Sequence, residues 1–369
     1  MTISAIILFL IILILLVLSH EFGHFIVAKF FRIKVEEFGF GFPPRAFGKK
    51  FGETIYSINW LPFGGFVRLL GEDPEENVAE EEAGRSFAKR SIPVRMAVVV
   101  AGVVFNLILA WILFTTGFLT GLPMPLGSAP NGAIVGESRL VITSVASDSP
   151  AEIAGFQSID TVISIEDRND ESKLEILTPE SMVDFIRARE GHELLFTLMR
   201  GEDRRDVIVI PKKVELDGHA KIGVALDSIA SVRLPLHLAI WQSGKLTGSL
   251  FVTTFDALGS LVLDVFRGSA SREAVTGPIG IIGLVQTASS FGYVYLLGLT
   301  AIISVNLAVI NLLPIPALDG GHILFFVIEA IIGRPLSAKV RARASGTFFF
   351  LLIGLMILVT VFDILKIFS

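Results

Sequence analysis

Ile3-Ser4-Ala5-Ile6-Ile7-Leu8-Phe9-Leu10-Ile11-Ile12-Leu13-Ile14-Leu15-Leu16-Val17-Leu18-Ser19-His20-Glu21-Phe22-Gly23-His24-Phe25-Ile26-Val27-Ala28 is the stretch from which the rest of the chain is read. Residues 3–18 are almost wholly apolar, and apolar character resumes after His24. A run of that length can cross the hydrocarbon core of a bilayer. Its second half nevertheless holds His20, Glu21 and His24. Ionisable groups are costly at membrane depth and are usually kept there for function. Positions i and i+4 share a helix face, so the two histidines of this H-E-x-x-H pattern can grip one metal ion. Glu21 lies next to the pair, where it could act as a base.

Composition agrees with a membrane setting. Of the 369 residues, 52% are hydrophobic and 18% charged, and the mean hydropathy is +0.69. Such values are too apolar for an ordinary soluble protein and fit a membrane protein with a soluble portion. The net charge of −5 gives no reason to propose nucleic-acid binding, and the absence of cysteine excludes disulfides and thiolate ligands. Any zinc site must use His, Asp or Glu. The first run lacks the basic n-region and the small-x-small site of a secretory signal, and cleavage near Ser19 would destroy the motif, so it is read as a retained span.

Four spans are expected, at about 4–30, 94–120, 292–313 and 345–365. The region 233–266 is rich in Leu, Phe and Val but broken by Lys245, Asp256 and Asp264. It reads as an amphipathic or interfacial helix, with a fifth span as the alternative. The expected organisation is residues 1–120 for the first two spans with a cytoplasmic β-ribbon at about 50–72, 130–230 for an inserted domain, 231–290 for interfacial linker helices, and 291–369 for the last two spans. Lys29 to Arg90 in the first loop and Arg334, Lys339, Arg341 and Arg343 in the last connection place both loops in the cytoplasm. The segment 121–290 and both termini then lie outside.

In the first loop, Glu53–Trp60 alternates like a strand, Leu61-Pro62-Phe63-Gly64-Gly65 reads as the turn, and Phe66–Leu70 returns. The acidic run Glu72–Glu82 reads as solvated and mobile. The inserted domain reads as α+β. Strands are expected at 140–145, 160–165, 193–199 and 206–211, and helices open at Ser149-Pro150 and Thr178-Pro179. Residues 220–226 would form the sheet edge.

Two histidines do not complete a hydrolytic zinc site, which usually takes three protein ligands and leaves one position open. Asn311-Leu312-Leu313-Pro314-Ile315-Pro316-Ala317-Leu318-Asp319-Gly320-Gly321-His322 ends the third span, with prolines to break the helix and glycines to allow a tight turn. Asp319 there is the candidate third ligand on irregular backbone, with His322 its rival. Taken singly, Asp319 could be a helix cap, Asn306 and Asn311 could hydrogen-bond between helices, Gly102 and Asn106 read as packing residues, and Tyr56 and Trp60 as interfacial aromatics.

The two motifs together resemble those of site-2 proteases, and in particular the bacterial regulator of sigma-E protease group. These carry H-E-x-x-H in the first span and N-x-x-P-x-P-x-L-D-G in a later one. The resemblance extends to Phe63-Gly64-Gly65-Phe66, to Gly277-Pro278-Ile279-Gly280, and to a PDZ-like module marked by Ser149-Pro150-Ala151 and Ala154-Gly155 ahead of Asp160. There is room for one such module, whereas some members carry two. The resemblance implies a polytopic α-helical membrane protein with a membrane-associated β-ribbon and an inserted extracytoplasmic PDZ-like domain. It implies a zinc metalloendopeptidase of the bacterial inner membrane that cleaves transmembrane segments in regulated intramembrane proteolysis, of anti-sigma-factor type or remnant signal peptides. By this reading His20, His24 and Asp319 hold Zn²⁺, Glu21 is the base, and Asn311 donates to the substrate backbone or oxyanion. Ile55, Ser57 and Asn306 are candidate substrate contacts, the ribbon offering a strand edge. A C-terminal peptide could occupy the PDZ-like domain. The alternative is a membrane-anchored PDZ adaptor with a structural metal site.

Overall fold

The computed structural model describes residues 2–72, 78–201, 203–213, 219–267 and 277–368. In chain order the elements are α1 (Ile3–Phe30), β1 (Val35–Phe51), β2 (Thr54–Leu69), α2 (Ile92–Thr120), β3 (Leu122–Pro125), β4 (Ile134–Val145), α3 (Pro150–Ile153), β5 (Thr161–Asp167), α4 (Pro179–Arg187), β6 (Leu194–Arg200), β7 (Asp203–Val209), β8 (Lys212–Lys213), β9 (Ala220–Lys221), β10 (Val224–Arg233), α5 (Leu236–Arg267), α6 (Pro278–Ser290), α7 (Tyr293–Leu312), α8 (Asp319–Ile332) and α9 (Ala338–Phe368). They form two compact units. One comprises Met1–Phe114, Ser243–Gln286 and Leu297–Ser369, the other Thr115–Gln242 and Thr287–Leu296.

In the helical unit, α1 starts where the Thr2 hydroxyl accepts from the Ala5 N–H, closing one of the donors a helix start leaves open. α1, α2, α7 and α9 up to Leu365 are long and apolar enough to cross a membrane. The α9 residues Phe350, Leu351 and Ile357 are exposed, as suits a helix whose solvent is lipid. α1 and α2 approach closely at Gly23, where any Cβ would overlap the Ala101 carbonyl. Ala28, Val98, Val99 and Phe326 share a core beneath this crossing. Within the region 233–266, Arg233 ends β10 and the residues from Leu236 onward form one long helix, α5, which is not one of those four. In α5, Thr254 donates to the Asn306 Oδ1 of α7 at 3.1 Å. Asp363 of α9 accepts from the Gly277 and Gly280 N–H groups at 3.2 and 2.9 Å. A carboxylate from one helix thus caps the start of another, which is where negative charge is favoured. This gives Gly277-Pro278-Ile279-Gly280 a structural task, since a Cβ at Gly277 would overlap that carboxylate.

The ribbon differs from expectation. Its turn is at Gly52-Glu53, its partner strand is β1, and β2 runs straight through residues 61–65. Residues 35–40 pair with 65–69 on one side and with 55–58 on the other, while 45–51 pair with 54–59. The order across this small sheet is therefore 45–51, 54–59, 35–40, 65–69. Pro43 and Pro44 sit at the register break between the two halves of β1, because proline cannot donate to a ladder. Buried Glu37 holds the halves together. It accepts from Ser57, Arg45 and Arg68 at 2.6, 2.7 and 2.6 Å. Residues 73–77 of the acidic run lie outside the described residues. Its other end is not free of partners, since Lys34 pairs with Glu82 at 2.6 Å.

The second unit contains a six-stranded sheet of order β3-β10-β4-β5-β6-β7. Ile142, Val162, Ile165, Phe196 and Leu198 face one core, against which α4 lays Met182, Phe185 and Ile186. Each such burial is worth about 1.5–3 kcal/mol. α4 starts with a reciprocal cap between Thr178 and Ser181; losing it would cost about 1 kcal/mol. Residues 224–226 pair with β4 alone among the described residues and so form an edge as expected, since the short strand β3 covers β10 only at 229–232; Ala220 and Lys221 pair instead with Lys213 and Lys212 in a separate ladder.

Candidate metal centre and catalytic residues

His20 and His24 stand one turn apart on α1, and Asp319 is brought to them from the far end of the chain. Their ligand atoms all lie within 4.8 Å of one another. The His20 and His24 Nε2 atoms are 3.2 Å apart. Asp319 Oδ2 is 3.0 Å from the first and 3.4 Å from the second. A tetrahedral ion with bonds of about 2.0–2.1 Å would place its ligand atoms roughly 3.3 Å apart. Asp319 Oδ2 is buried yet accepts no well-aligned hydrogen bond. Three atoms aimed at a common point, rather than at each other, produce that pattern. The residues fit a metal ion.

Asp319 is the first residue of α8, not part of irregular backbone as expected. The irregular stretch is 313–318. Gly320 and Gly321 are required here, since a Cβ on either would overlap the Leu313 or Ile315 carbonyl of the preceding turn. Ser345 of α9 donates to the Pro316 carbonyl at 2.7 Å and holds that turn. His322 lies outside the ligand group, its ring packed edge-on to Phe325.

The supporting side of the site is α2. His24 Nδ1 is 2.8 Å from the Val98 carbonyl. Both imidazoles lie directly over Gly102, where a Cβ would meet His24 Nε2 and His20 Cε1. Asn106, fully buried, contacts His20 Nδ1 at 3.3 Å. Gly102 is thus a packing residue whose packing partners are the ligands themselves. Reading Asn106 as packing alone missed its contact. The available signal was the four-residue spacing of Val98, Gly102 and Asn106, which puts all three on one helix face.

The opposite wall is the ribbon. A Cβ on Gly65 would overlap Val17 and the Glu21 side chain, so β2 lies against the acid of the motif. Glu21 is half-buried. Asn311 occupies the last turn of α7 and is half-buried, and its amide has no hydrogen-bond partner among the described residues. The expectation of a free edge at Ile55 and Ser57 is corrected. Both lie in the run 54–59, which is paired on both sides, and the Ser57 hydroxyl is spent on Glu37. Asn306 Oδ1 is taken by Thr254.

The description Peptidase family M50 matches residues 8–355. The chain belongs to peptidase family M50. It is a metalloprotease of that family, and its apolar helices make it a multi-pass membrane protein. A protein of Clostridium perfringens provisionally named a zinc metalloprotease is 37% identical over 352 residues, 95% of each chain. The zinc metalloprotease RasP of Geobacillus kaustophilus is 29% identical over 444 aligned positions, covering 100% of this chain and 99% of the relative. Among solved structures, the PDZ domain of an SdrC-like protein of Listeria monocytogenes aligns over 25% of this chain and 92% of its own, at 18% identity and a TM-score of 0.21.

Proposed function

We propose that this family member cleaves transmembrane segments of membrane proteins within the bilayer, with His20, His24 and Asp319 holding zinc and Glu21 serving as the base. The observation that carries this reading is the triangle of ligand atoms, two of them from α1, a helix long and apolar enough to cross a membrane, and the third from the start of α8. When bound, zinc supplies Lewis acidity for amide hydrolysis. Glu21 takes the proton of the attacking water and delivers it to the leaving amine. The unpartnered Asn311 amide supplies a donor for the substrate backbone or the developing oxyanion.

A helical substrate must be unwound before its carbonyls can be attacked. The run 65–69 of β2 is paired on one side only among the described residues, so an extended substrate adds there as a further strand. Gly65 keeps that strand close to Glu21. This replaces Ile55 and Ser57 as the capture edge. Asn306, bonded to Thr254, acts in positioning α5 on α7 rather than on substrate. The Lys and Arg residues at 29–90 and 334–343, close to the ends of the spans, support cytoplasmic loops, with the sheet unit and both termini outside a bacterial inner membrane. The sheet unit serves as a single PDZ-like module. A cavity of about 300 Å³ between α4 and β9–β10, lined by Val183, Ile186, Ile222 and Leu226, suits an apolar peptide C-terminus. Substrates of anti-sigma-factor or remnant-signal type fit a protease of this kind. An adaptor would leave Glu21 without a task.

The test is cleavage of a tagged transmembrane peptide by the purified protein in bilayers. Cleavage within the apolar segment, lost to a zinc chelator and restored by added zinc, is the expected result. Cleavage confined to residues outside the bilayer would overturn the intramembrane reading.

A further inference from the structure

We infer that Asn106 sets the proton position on His20, and that the stripe Val98-Gly102-Asn106 of α2 is the orienting scaffold of the metal ligands. The inference deepens the proposed function and rests on its ligand assignment. A neutral imidazole carries one N–H, and the nitrogen that binds a metal must be the other one. For His24 the assignment is made by the backbone. Its Nδ1–H donates to the Val98 carbonyl at 2.8 Å, which leaves the Nε2 lone pair for the ion.

His20 has no carbonyl in that position. Its Nδ1 faces the Asn106 amide at 3.3 Å, drawn with Nδ2 nearest. In that orientation the amide would donate to Nδ1, and the proton of His20 would sit on Nε2. Nε2 is the atom that lies 3.2 Å from His24 Nε2 and 3.0 Å from Asp319 Oδ2, so the proton would occupy the metal position. The same orientation leaves Asn106 Oδ1 buried with no partner. The two ends of an amide have nearly the same shape, so its orientation follows its partners. Rotating the amide by a half-turn places Oδ1 on His20 Nδ1–H. Nε2 is then free to ligate, and the amide nitrogen takes the position that Oδ1 held.

The position of Asn106 is itself fixed. Ser304 of α7 donates to the Asn106 backbone carbonyl at 2.7 Å, and both residues are wholly buried. The nine residues 98–106 of one helix therefore orient both histidines, through a carbonyl at one end and an amide oxygen at the other. Gly102 lies between them so that the rings can rest on the backbone. Asn106 is a positioning residue, since it acts through His20.

Two variants of the full-length protein test this. Asn106→Leu removes the acceptor at similar volume, and Asn106→Asp keeps an acceptor oxygen. Zinc affinity is read by chelator competition, and the His20 tautomer by ¹⁵N NMR of the zinc-free wild type with selectively labelled histidine. We expect Asn106→Leu to weaken zinc roughly 10- to 100-fold, Asn106→Asp to stay within a few-fold of wild type, and the wild-type spectrum to show His20 protonated at Nδ1. Equal zinc loss in both variants would show a packing role and overturn the inference, as would unchanged affinity in Asn106→Leu or a His20 proton on Nε2. If Asn106→Leu does not fold, the wild-type tautomer alone decides. A wild type that binds no zinc would overturn the ligand assignment itself and this inference with it.

Discussion

Gly102 shows how little space separates the metal ligands from the helix behind them. Any side chain there meets His24 Nε2 and His20 Cε1, the faces that must converge on an ion. Gly102→Ala is expected to keep its helix, since alanine is the better helix former. It should push both rings off the ligand triangle. Zinc affinity should fall roughly 10- to 100-fold, the range seen when ligand orientation is lost, while circular dichroism stays unchanged. Unaltered affinity would mean that the rings can shift without loss. The sequence made His20, Glu21, His24 and Asp319 legible because ionisable groups in apolar surroundings stand out. Asn106 was legible only in part. A single amide in a span is a common interhelical glue, and what it touches depends on how α1 crosses α2 at Gly23.

Elements were readable in proportion to their periodicity. The apolar helices and the strands of the sheet unit have long regular patterns, and they fall close to where the chain suggested. β1 was missed because Pro43, Pro44 and several glycines interrupt it. Its pairing to two separate runs of β2 has no local signature. α8 was missed for another reason. The two prolines ahead of it and the two glycines in its first turn read as a break, but Gly320 and Gly321 are there so that a new helix can start against the turn. The ribbon carries a prediction of its own. Gly65 holds β2 against Glu21, so Gly65→Val should displace the acid without touching the ligands. Turnover should fall on the order of 10²-fold, as small misplacements of reacting groups cause, with zinc content unchanged in the same preparation. Full turnover would contradict close approach of ribbon and acid.

At the scale of the molecule, the two units depend on different chemistry. The helical unit is built around a polar site enclosed by apolar helices. The sheet unit has an ordinary core and an acid-sensitive corner at the end of β5. Burial would raise the Asp167 carboxyl, but hydrogen bonds from the Asn169 N–H and His192, with the charges of His192 and Arg189, outweigh it and hold it below the usual carboxylate range. A depressed carboxylate contributes stability above its unfolded value, about 3.9, and loses it as pH falls through its folded value. Amide exchange across residues 160–200 of the full chain, corrected for intrinsic pH effects, should therefore speed up below about pH 4. Asp167→Asn should flatten that dependence, and an identical acid response in the variant would remove Asp167 as its cause. The assignment of a metalloprotease with Glu21 as base is tested most directly by Glu21→Gln, with zinc content and cleavage of a transmembrane peptide measured on one sample. The account predicts about one zinc per chain, as in the wild type, and no detectable cleavage. Cleavage retained by a zinc-loaded Glu21→Gln protein would contradict it.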